Sequence, residues 1–339
     1  MLFGHVYILL LNLVYISKAV HHNGQYKIIE SQDGLANRLR LLAGYMYVKE
    51  MHTNFSHIIM VWDLNEACPG HFLELFHPIR GVSFISRHDL PVFAPQAMAV
   101  HPPSYQNFLE VLRRHNLWSP SDKPDIWRQA RRSMYARYRA LPHISQEVAQ
   151  FVTKHSICSN AAIHVRHTDL DKSLNPTARP EELQRLRHDL DMSFYHFIDS
   201  LPPSMTVFLM TDSVDTQRRY LDKYGTRMVV FSIMDGDNGY VDVQENWRAR
   251  RVLPDRSRGG EGGEFSTTSI SSRILLPTRP SAHSAAQTHH RQSTLRRSLL
   301  DVLIGAHSVI FKGTDGSTFS ELVHLFNVTS ALVDVPCDT

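Results

Sequence analysis

Short apolar runs alternate with helical periods along most of this chain. The apolar runs are rich in β-branched residues, which is typical of buried strands. Between two such runs, Leu39, Leu42, Ala43 and Tyr47 recur at helical spacing. Strands that alternate with helices predict an α/β protein built on parallel sheets. The predicted strands are residues 26–31, 57–62, 82–85, 161–165, 205–210, 228–231 and 308–311.

Helices are predicted in the intervals between these strands. One begins after the glycine turn that follows the first strand, and the chain is mainly helical from residue 105 to 155. The arginines of that interval are expected to lie on a solvated helix face. Further helices are predicted at residues 71–77, 181–200, 214–224 and 293–304.

Polar side chains gather where two of the predicted strands end. Arg166, His167 and Asp169 follow the strand 161–165, and Thr211 with Asp212 follows the strand 205–210. Ligands of open α/β sheets bind at this edge, and an arginine can donate two parallel hydrogen bonds to a diphosphate. The alternative is a solvated turn with a surface salt bridge.

A hydroxyl-rich turn, residues 314–320, follows the last predicted strand. Hydroxyl groups and free N–H groups at a helix start can bind phosphate. Simple capping of the helix by Ser317 or Thr318 is the alternative.

Composition limits the class of protein. The hydrophobic share of 42% is ample for a core. The length of 339 residues suggests about two domains. The net charge of +3 is a mild basic bias without a concentrated basic arm, so nucleic acid is not an expected partner. The three cysteines lack metal-site spacing, and they allow one disulfide with one thiol left over.

Two segments do not follow the alternating pattern. Residues 1–19 are predicted to be a signal peptide or a short membrane anchor, with a buried first strand or a mis-assigned start as alternatives. Residues 236–292 have no apolar period and are rich in Gly, Ser, Arg and His. They are expected to be a disordered insertion, unless they are retained intron sequence.

Four motifs in this order resemble those of fucosyltransferases. Residues 34–39 resemble the GLGNR-type loop, and residues 164–169 resemble the H-V-R-R-T-D motif. The strand that ends in Thr211-Asp212 and the pair Asp301 with Ser317, sixteen positions apart, complete the series. The resemblance is to the N-glycan core α1,6-fucosyltransferases, the nodulation fucosyltransferases and the protein O-fucosyltransferase superfamily.

This resemblance implies a GT-B-like fold, with two Rossmann-like domains facing a cleft. Residues 20–157 would form the acceptor-side domain, and residues 158–335 the nucleotide-sugar-binding domain. The enzyme would transfer fucose from GDP-fucose to a glycan or glycoprotein with inversion, without a metal or other cofactor. It would act in the secretory pathway or be secreted.

The resemblance also implies roles for individual residues. Arg166 would hold the β-phosphate, Asp301 the guanine or ribose, and Asn37 would line the donor pocket. Ser317 and Thr318 would bind the phosphates. The catalytic group would comprise Arg166, Asp169 and Asp171. The remaining donor-binding residues would be Gly34, Arg38, His164, Thr211, Asp212 and Ser320.

The chain departs from the family pattern at three points. His167 replaces the second arginine, which would make neutralisation of the donor weaker or dependent on pH, and Leu170 replaces a frequent lysine. The catalytic base has no clear match, with Asp171 nearest and Glu181 and Glu182 as further candidates.

Other classes of function stay open at this stage. The alternatives are a non-catalytic nucleotide-sugar- or glycan-binding relative and a product disabled by the insertion. A metal-dependent enzyme would normally carry D-x-D at a strand end. The pair Asp189 and Asp191 falls in a predicted helix, and Asp235 with Asp237 opens the insertion, so neither predicts a metal site.

Overall fold

A computed structural model describes residues 26–52, 55–93, 108–119, 121, 123–167, 179–230 and 294–327. The first segment (1–19) and the insertion (236–292) lie outside these residues. The strands are β1 Tyr26–Glu30, β2 His57–Val61, β3 Val82–Ile85, β4 Ala161–Val165, β5 Val207–Thr211, β6 Met228–Val230 and β7 Ile310–Gly313. The helices are α1 Leu35–Met51, α2 Leu90–Phe93, α3 Phe108–Arg114, α4 Pro124–Tyr135, α5 Pro142–Lys154, α6 Pro180–Ser200, α7 Val214–Tyr224, α8 Leu295–Ala306 and α9 Thr318–Asn327.

The described strands form two parallel sheets. The first has the order β1-β2-β3, and the second has the order β6-β5-β4-β7. All strand pairs in both sheets are parallel. The predicted α/β class is therefore confirmed, while the cleft between two domains stays a prediction.

Most predicted boundaries agree with the structure to within one or two residues. The last strand begins two residues later than expected, at Ile310. Ser308 instead closes the end of α8, because its hydroxyl donates to the Gly305 carbonyl at 2.7 Å. The segment predicted as a helix at 71–77 is only a 3₁₀ turn, Phe72–Glu74.

Strand β4 is buried on both faces of the second sheet. Ala161, Ile163 and Val165 pack with apolar side chains of α6 and α7. Ala162 points the other way and joins the cluster that contains Leu299 of α8. Successive side chains of a strand alternate between faces, so His164 and Arg166 share the face of α8 and α9.

The two sheets are joined by helices that share one apolar cluster. This cluster includes side chains of α1, α4 and α5 together with side chains of α8 and α9. Arg40 of α1 and Arg131 of α4 both form ion pairs with Glu321 of α9. Helices before residue 157 thus pack directly on helices that follow residue 158. The domain boundary between residues 157 and 158 stays a prediction.

The arginines predicted to lie on a solvated helix face do so with one exception. Arg128, Arg132, Arg137 and Arg139 are exposed. Arg131 is only partly exposed because it contacts Glu321.

The cysteines follow the pattern allowed by their number. Cys158 is disulfide-bonded, and its partner lies outside the described residues. Cys68 is a buried thiol that takes no part in a disulfide. Among the helices that the structure describes, none combines the length and apolar character needed to cross a membrane.

Candidate active site

One pocket lies at the carboxyl ends of β4 and β5, where the second sheet meets α8 and α9. It encloses about 410 Å³, including space open to solvent. Strand β4 is also the position at which the strand order of the sheet changes direction, since β5 and β7 lie on its opposite sides. Ligands of such sheets bind at this kind of reversal. The pocket is lined by His164, Arg166, Met210, Thr211, Asp212, Ser298, Asp301 and Phe319.

Five residues predicted from the sequence are thus brought together by the fold. They come from three separate elements, the ends of β4 and β5 and the middle of α8. The pocket combines one guanidinium, two carboxyl groups, a hydroxyl and an imidazole, which are the groups needed to bind a charged polar ligand. The five residues are His164, Arg166, Thr211, Asp212 and Asp301.

His164 is fixed inside the pocket as a neutral ring. Its ring stacks on Phe319 with centroids 4.4 Å apart, and its Nδ1 lies 2.8 Å from the Ser320 hydroxyl. Burial, together with the charge of Arg166, lowers the pKa of His164 to about 3. The ring is therefore uncharged at neutral pH and can offer one donor or one acceptor to a ligand.

Asp301 is a buried carboxyl group on α8. Its Oδ1 has no hydrogen-bond partner among the described residues. Burial raises the pKa of Asp301 to about 7, although the charge of Arg297 opposes this shift. A buried acceptor in a ligand pocket normally has a partner, so a ligand that donates N–H groups would satisfy it.

His167 lies on the face of β4 opposite to the pocket. Its Nε2 is 3.1 Å from Asp191 Oδ1, and Asp191 also accepts from Arg219 and Tyr220. Burial raises the pKa of Asp191, but these partners outweigh burial and hold it below its ordinary value. Strand alternation directs the His167 side chain toward α6 and α7 and away from the pocket. The expectation that His167 makes neutralisation of the donor weaker or dependent on pH stays a prediction.

The pair Asp189 and Asp191 lies within α6, as predicted. Asp191 is engaged with His167 and Arg219 and does not line the pocket. Among the described residues, no group of three or more His, Cys, Asp or Glu side chains is arranged to bind a metal ion.

The glycine turn between β1 and α1 does not line this pocket. Gly34 directly precedes α1, and its carbonyl accepts from the backbone N–H groups of Asn37 and Arg38. Arg38 has no accessible surface. Its Nε donates to the Asp33 carbonyl at 2.6 Å, and its Nη1 donates to the Asp63 carbonyl at 2.7 Å.

These contacts give Arg38 a structural role, and its predicted role in donor binding stays a prediction. Its guanidinium also lies over the Trp62 ring, 4.9 Å from the centroid. Burial lowers the pKa of Arg38, and the neighbouring Cys68 and Asp63 oppose this shift. The side chain connects the turn after β1 to the loop after β2.

Ser317, Thr318 and Ser320 begin α9 beside the pocket without lining it. The Ser317 hydroxyl accepts from the Ser320 backbone N–H at 3.5 Å, which supports the capping alternative. Ser320 contributes indirectly, since its hydroxyl contacts His164.

The candidate bases differ in where they lie. Asp169 and Asp171 are outside the described residues. Glu181 and Glu182 are exposed in the first turn of α6, and they do not line the pocket.

Three lining residues were missed by the sequence analysis. Ser298 is one helical turn before Asp301, so helical spacing was a usable signal. Met210 directly precedes Thr211 in β5. Phe319 reads as an ordinary apolar residue of α9, and no local pattern distinguishes it.

Comparison with known proteins gives similarity at the level of structure. No family model matches the chain, and neither does any curated protein. Among solved structures, the chain is similar to NodZ α-1,6-fucosyltransferase soaked with GDP-fucose, at 14% identity and a TM-score of 0.47 over 92% of this chain and 93% of that one. NodZ is a fucosyltransferase, the class of enzyme whose motifs residues 34–39 and 164–169 of this chain resemble.

Two further NodZ structures give the same result. The enzyme co-crystallised with GDP has 14% identity and a TM-score of 0.48 over 92% of this chain and 93% of that one. The enzyme from Bradyrhizobium has 14% identity and a TM-score of 0.47 over 92% and 94% of the two chains.

Proposed function

We propose that this protein is a fucosyltransferase that transfers fucose from GDP-fucose to a glycan or protein acceptor. The observation that carries the proposal is the convergence of the motif residues on one pocket. His164 and Arg166 of one motif, Thr211 and Asp212 of another and Asp301 of a third line the same space.

Arg166 is proposed to bind the diphosphate of the donor. When the bond between fucose C1 and the diphosphate oxygen breaks, negative charge develops on the departing GDP. A guanidinium stabilises that charge with two parallel hydrogen bonds. Its place at the end of β4, in the pocket, supports this role.

Asp301 is proposed to bind the guanine base. Guanine presents two neighbouring N–H donors, and an ionised carboxylate has two oxygen acceptors in a matching arrangement. The buried Asp301 Oδ1 without a partner supports this role. The stacked rings of His164 and Phe319 supply a flat apolar surface beside it.

Catalysis is proposed to proceed without a metal and with inversion. Arg166 supplies positive charge in the pocket, while Asp191 of the D-x-D pair on α6 contacts His167 on the other face of the sheet. In an inverting displacement a base takes the proton of the acceptor hydroxyl as its oxygen bonds to C1, and a carboxylate can serve as that base. Asp171 and Asp169 are proposed for this step.

The protein is proposed to act in the secretory pathway. Disulfides persist in oxidising compartments, and the bonded state of Cys158 supports such a location. A glycan or glycoprotein acceptor is expected in the same compartment, and residues 1–19 are proposed to direct or anchor the protein there.

Calorimetry with a panel of nucleotide sugars tests the proposal. GDP-fucose and GDP should bind, UDP-sugars should not, and added EDTA should leave binding of GDP-fucose unchanged. Arg166→Ala should weaken GDP-fucose binding, while Arg132→Ala on the exposed face of α4 serves as the matched control. Loss of donor binding on chelation would contradict metal independence.

Turnover separates an enzyme from a non-catalytic relative. Release of GDP in the presence of a mixture of glycan acceptors is expected. Tight GDP-fucose binding without GDP release from any acceptor would instead favour a nucleotide-sugar-binding protein.

A further inference from the structure

Arg166 is held in place by a residue of another strand. Building on the proposed function, we infer that Thr314 is a positioning residue for the diphosphate site and acts through the backbone of Arg166. Its hydroxyl accepts from the Arg166 backbone N–H at 3.0 Å and donates to the His164 carbonyl at 2.8 Å. One buried hydroxyl therefore contacts the chain on both sides of Val165.

This contact begins where the backbone ladder ends. The last paired residues of β4 and β7 are His164 and Gly313. The Thr314 backbone N–H still donates to the His164 carbonyl at 3.0 Å. Beyond this pair the ladder of β4 and β7 ends, and the Arg166 backbone N–H donates to the Thr314 hydroxyl.

Close packing of β7 against α9 brings Thr314 to this position. A Cβ atom on Gly313 would lie 2.4 Å from Ser320 Cβ and 2.5 Å from its Oγ, so only glycine permits this approach. Ser320 in turn contacts the His164 ring through its hydroxyl. Thr314 and Ser320 together hold the backbone and the ring at the end of β4.

The arrangement has a direct consequence for ligand binding. The direction of a strand side chain follows from the orientation of its backbone. Fixing the Arg166 N–H fixes the starting direction of the guanidinium, and bidentate recognition of a diphosphate depends on that direction. Thr314 is itself buried and does not line the pocket, so it acts through Arg166 and not on the ligand.

The test compares affinities for GDP and for guanosine in Thr314→Val. Guanosine lacks the diphosphate, so the ratio of the two affinities reports the contribution of Arg166. In Thr314→Val we expect the preference for GDP to fall about tenfold to a hundredfold, the range for a charge-assisted hydrogen bond. Guanosine affinity should stay unchanged, and Thr314→Ser should restore the preference.

Thr216→Val is the matched control. Thr216 is also buried, and its hydroxyl accepts from Arg219 at 3.2 Å on the other face of the sheet. This variant should lose some stability without changing the preference for GDP.

The outcomes separate the inference from the proposed function. A wild-type protein that binds neither GDP nor GDP-fucose overturns the proposed function. A wild type that binds GDP, with Thr314→Val keeping its full preference over guanosine, overturns only the positioning role. Thr314→Ala removes the same hydroxyl and, unlike Thr314→Val, puts no methyl group in its place. Failure of both hydroxyl-free variants to fold overturns the positioning role, since the hydroxyl would then support the fold itself.

Discussion

Arg166 provides the positive charge among the described residues that line the pocket, because the neutral His164 contributes none. His167 is turned toward Asp191 on the opposite face and does not line the pocket. Under the proposed function, stabilisation of the departing GDP therefore depends on the geometry of a single guanidinium.

Arg166→Lys is expected to be nearly as damaging as Arg166→Ala. Lysine keeps the charge but cannot donate two parallel hydrogen bonds. Both substitutions should reduce turnover of GDP-fucose by about 10²–10³-fold, with the thermal midpoint preserved. Retention of more than about a third of the activity by the lysine variant would exclude bidentate recognition. Unfolding of that variant would favour the surface salt bridge considered for this stretch.

Asp301 gives the site a dependence on pH. Burial raises the pKa of Asp301 to about 7, so the protonated form predominates below neutral pH in the empty pocket. Guanine needs the ionised form as a double acceptor. GDP affinity should therefore rise between pH 6 and pH 8, by up to about tenfold per unit below the pKa. Asp301→Asn should bind GDP weakly and without this dependence, as calorimetry at several pH values would show.

The contribution of Asp301 to the stability of the folded protein should change with pH in the direction opposite to GDP affinity. The pKa of Asp301 is higher in the folded state than in the unfolded state, so its contribution to stability is lost as pH rises through about 7. The thermal midpoint of ligand-free Asp301→Asn should gain on that of the wild type between pH 5 and pH 8. A constant difference across this range would show that Asp301 is not buried as described.

At the scale of the element, β4 separates two kinds of polar contact. One face carries His164 and Arg166 into the pocket, and the other carries His167 to Asp191, Arg219 and Tyr220. The sequence of the motif does not show this separation, because consecutive residues of a strand lie on opposite faces of the sheet.

His167→Arg tests which face this residue occupies. It restores the arginine of the family motif, but it places a larger cation beside Arg219 in a buried site. We expect no gain in GDP affinity and a loss of stability of about 1–3 kcal/mol. His57→Arg, at a buried histidine that contacts Ser83 in the first sheet, is the matched control. A clear gain in GDP affinity would show that residue 167 reaches the donor.

At the scale of the whole molecule, two parallel sheets share helices that pack into one apolar cluster. Glu321 links the halves further, since it pairs with an arginine of α1 and an arginine of α4. The pocket itself is formed within the second half, from β4, β5, α8 and α9.

Residues 240–290 are expected to be dispensable for this assembly. Their composition lacks the apolar surface needed to form a core. Deleting them should leave the thermal midpoint unchanged or raised and should preserve GDP binding. A large fall in the thermal midpoint would show that the segment packs on the rest of the chain.

The sequence by itself determined the α/β class, the position of each described strand and the polar groups at the strand ends. These features depend on local patterns, namely apolar runs, helical spacing and motif order. It also identified five of the pocket residues. Arg166, Thr211 and Asp212 follow from the way parallel strands bring their carboxyl ends to one edge of a sheet, whereas His164 and Asp301 were implied by the resemblance to fucosyltransferase motifs.

Only the tertiary structure decided which of the motif residues reach the pocket. Arg38 is buried by the loop after β2, Ser317 caps α9, and His167 faces α6 and α7. The role of Thr314 depends on contacts with residues 148 and 150 positions away. Such contacts arise from the packing of distant elements, and local patterns in the sequence do not encode them.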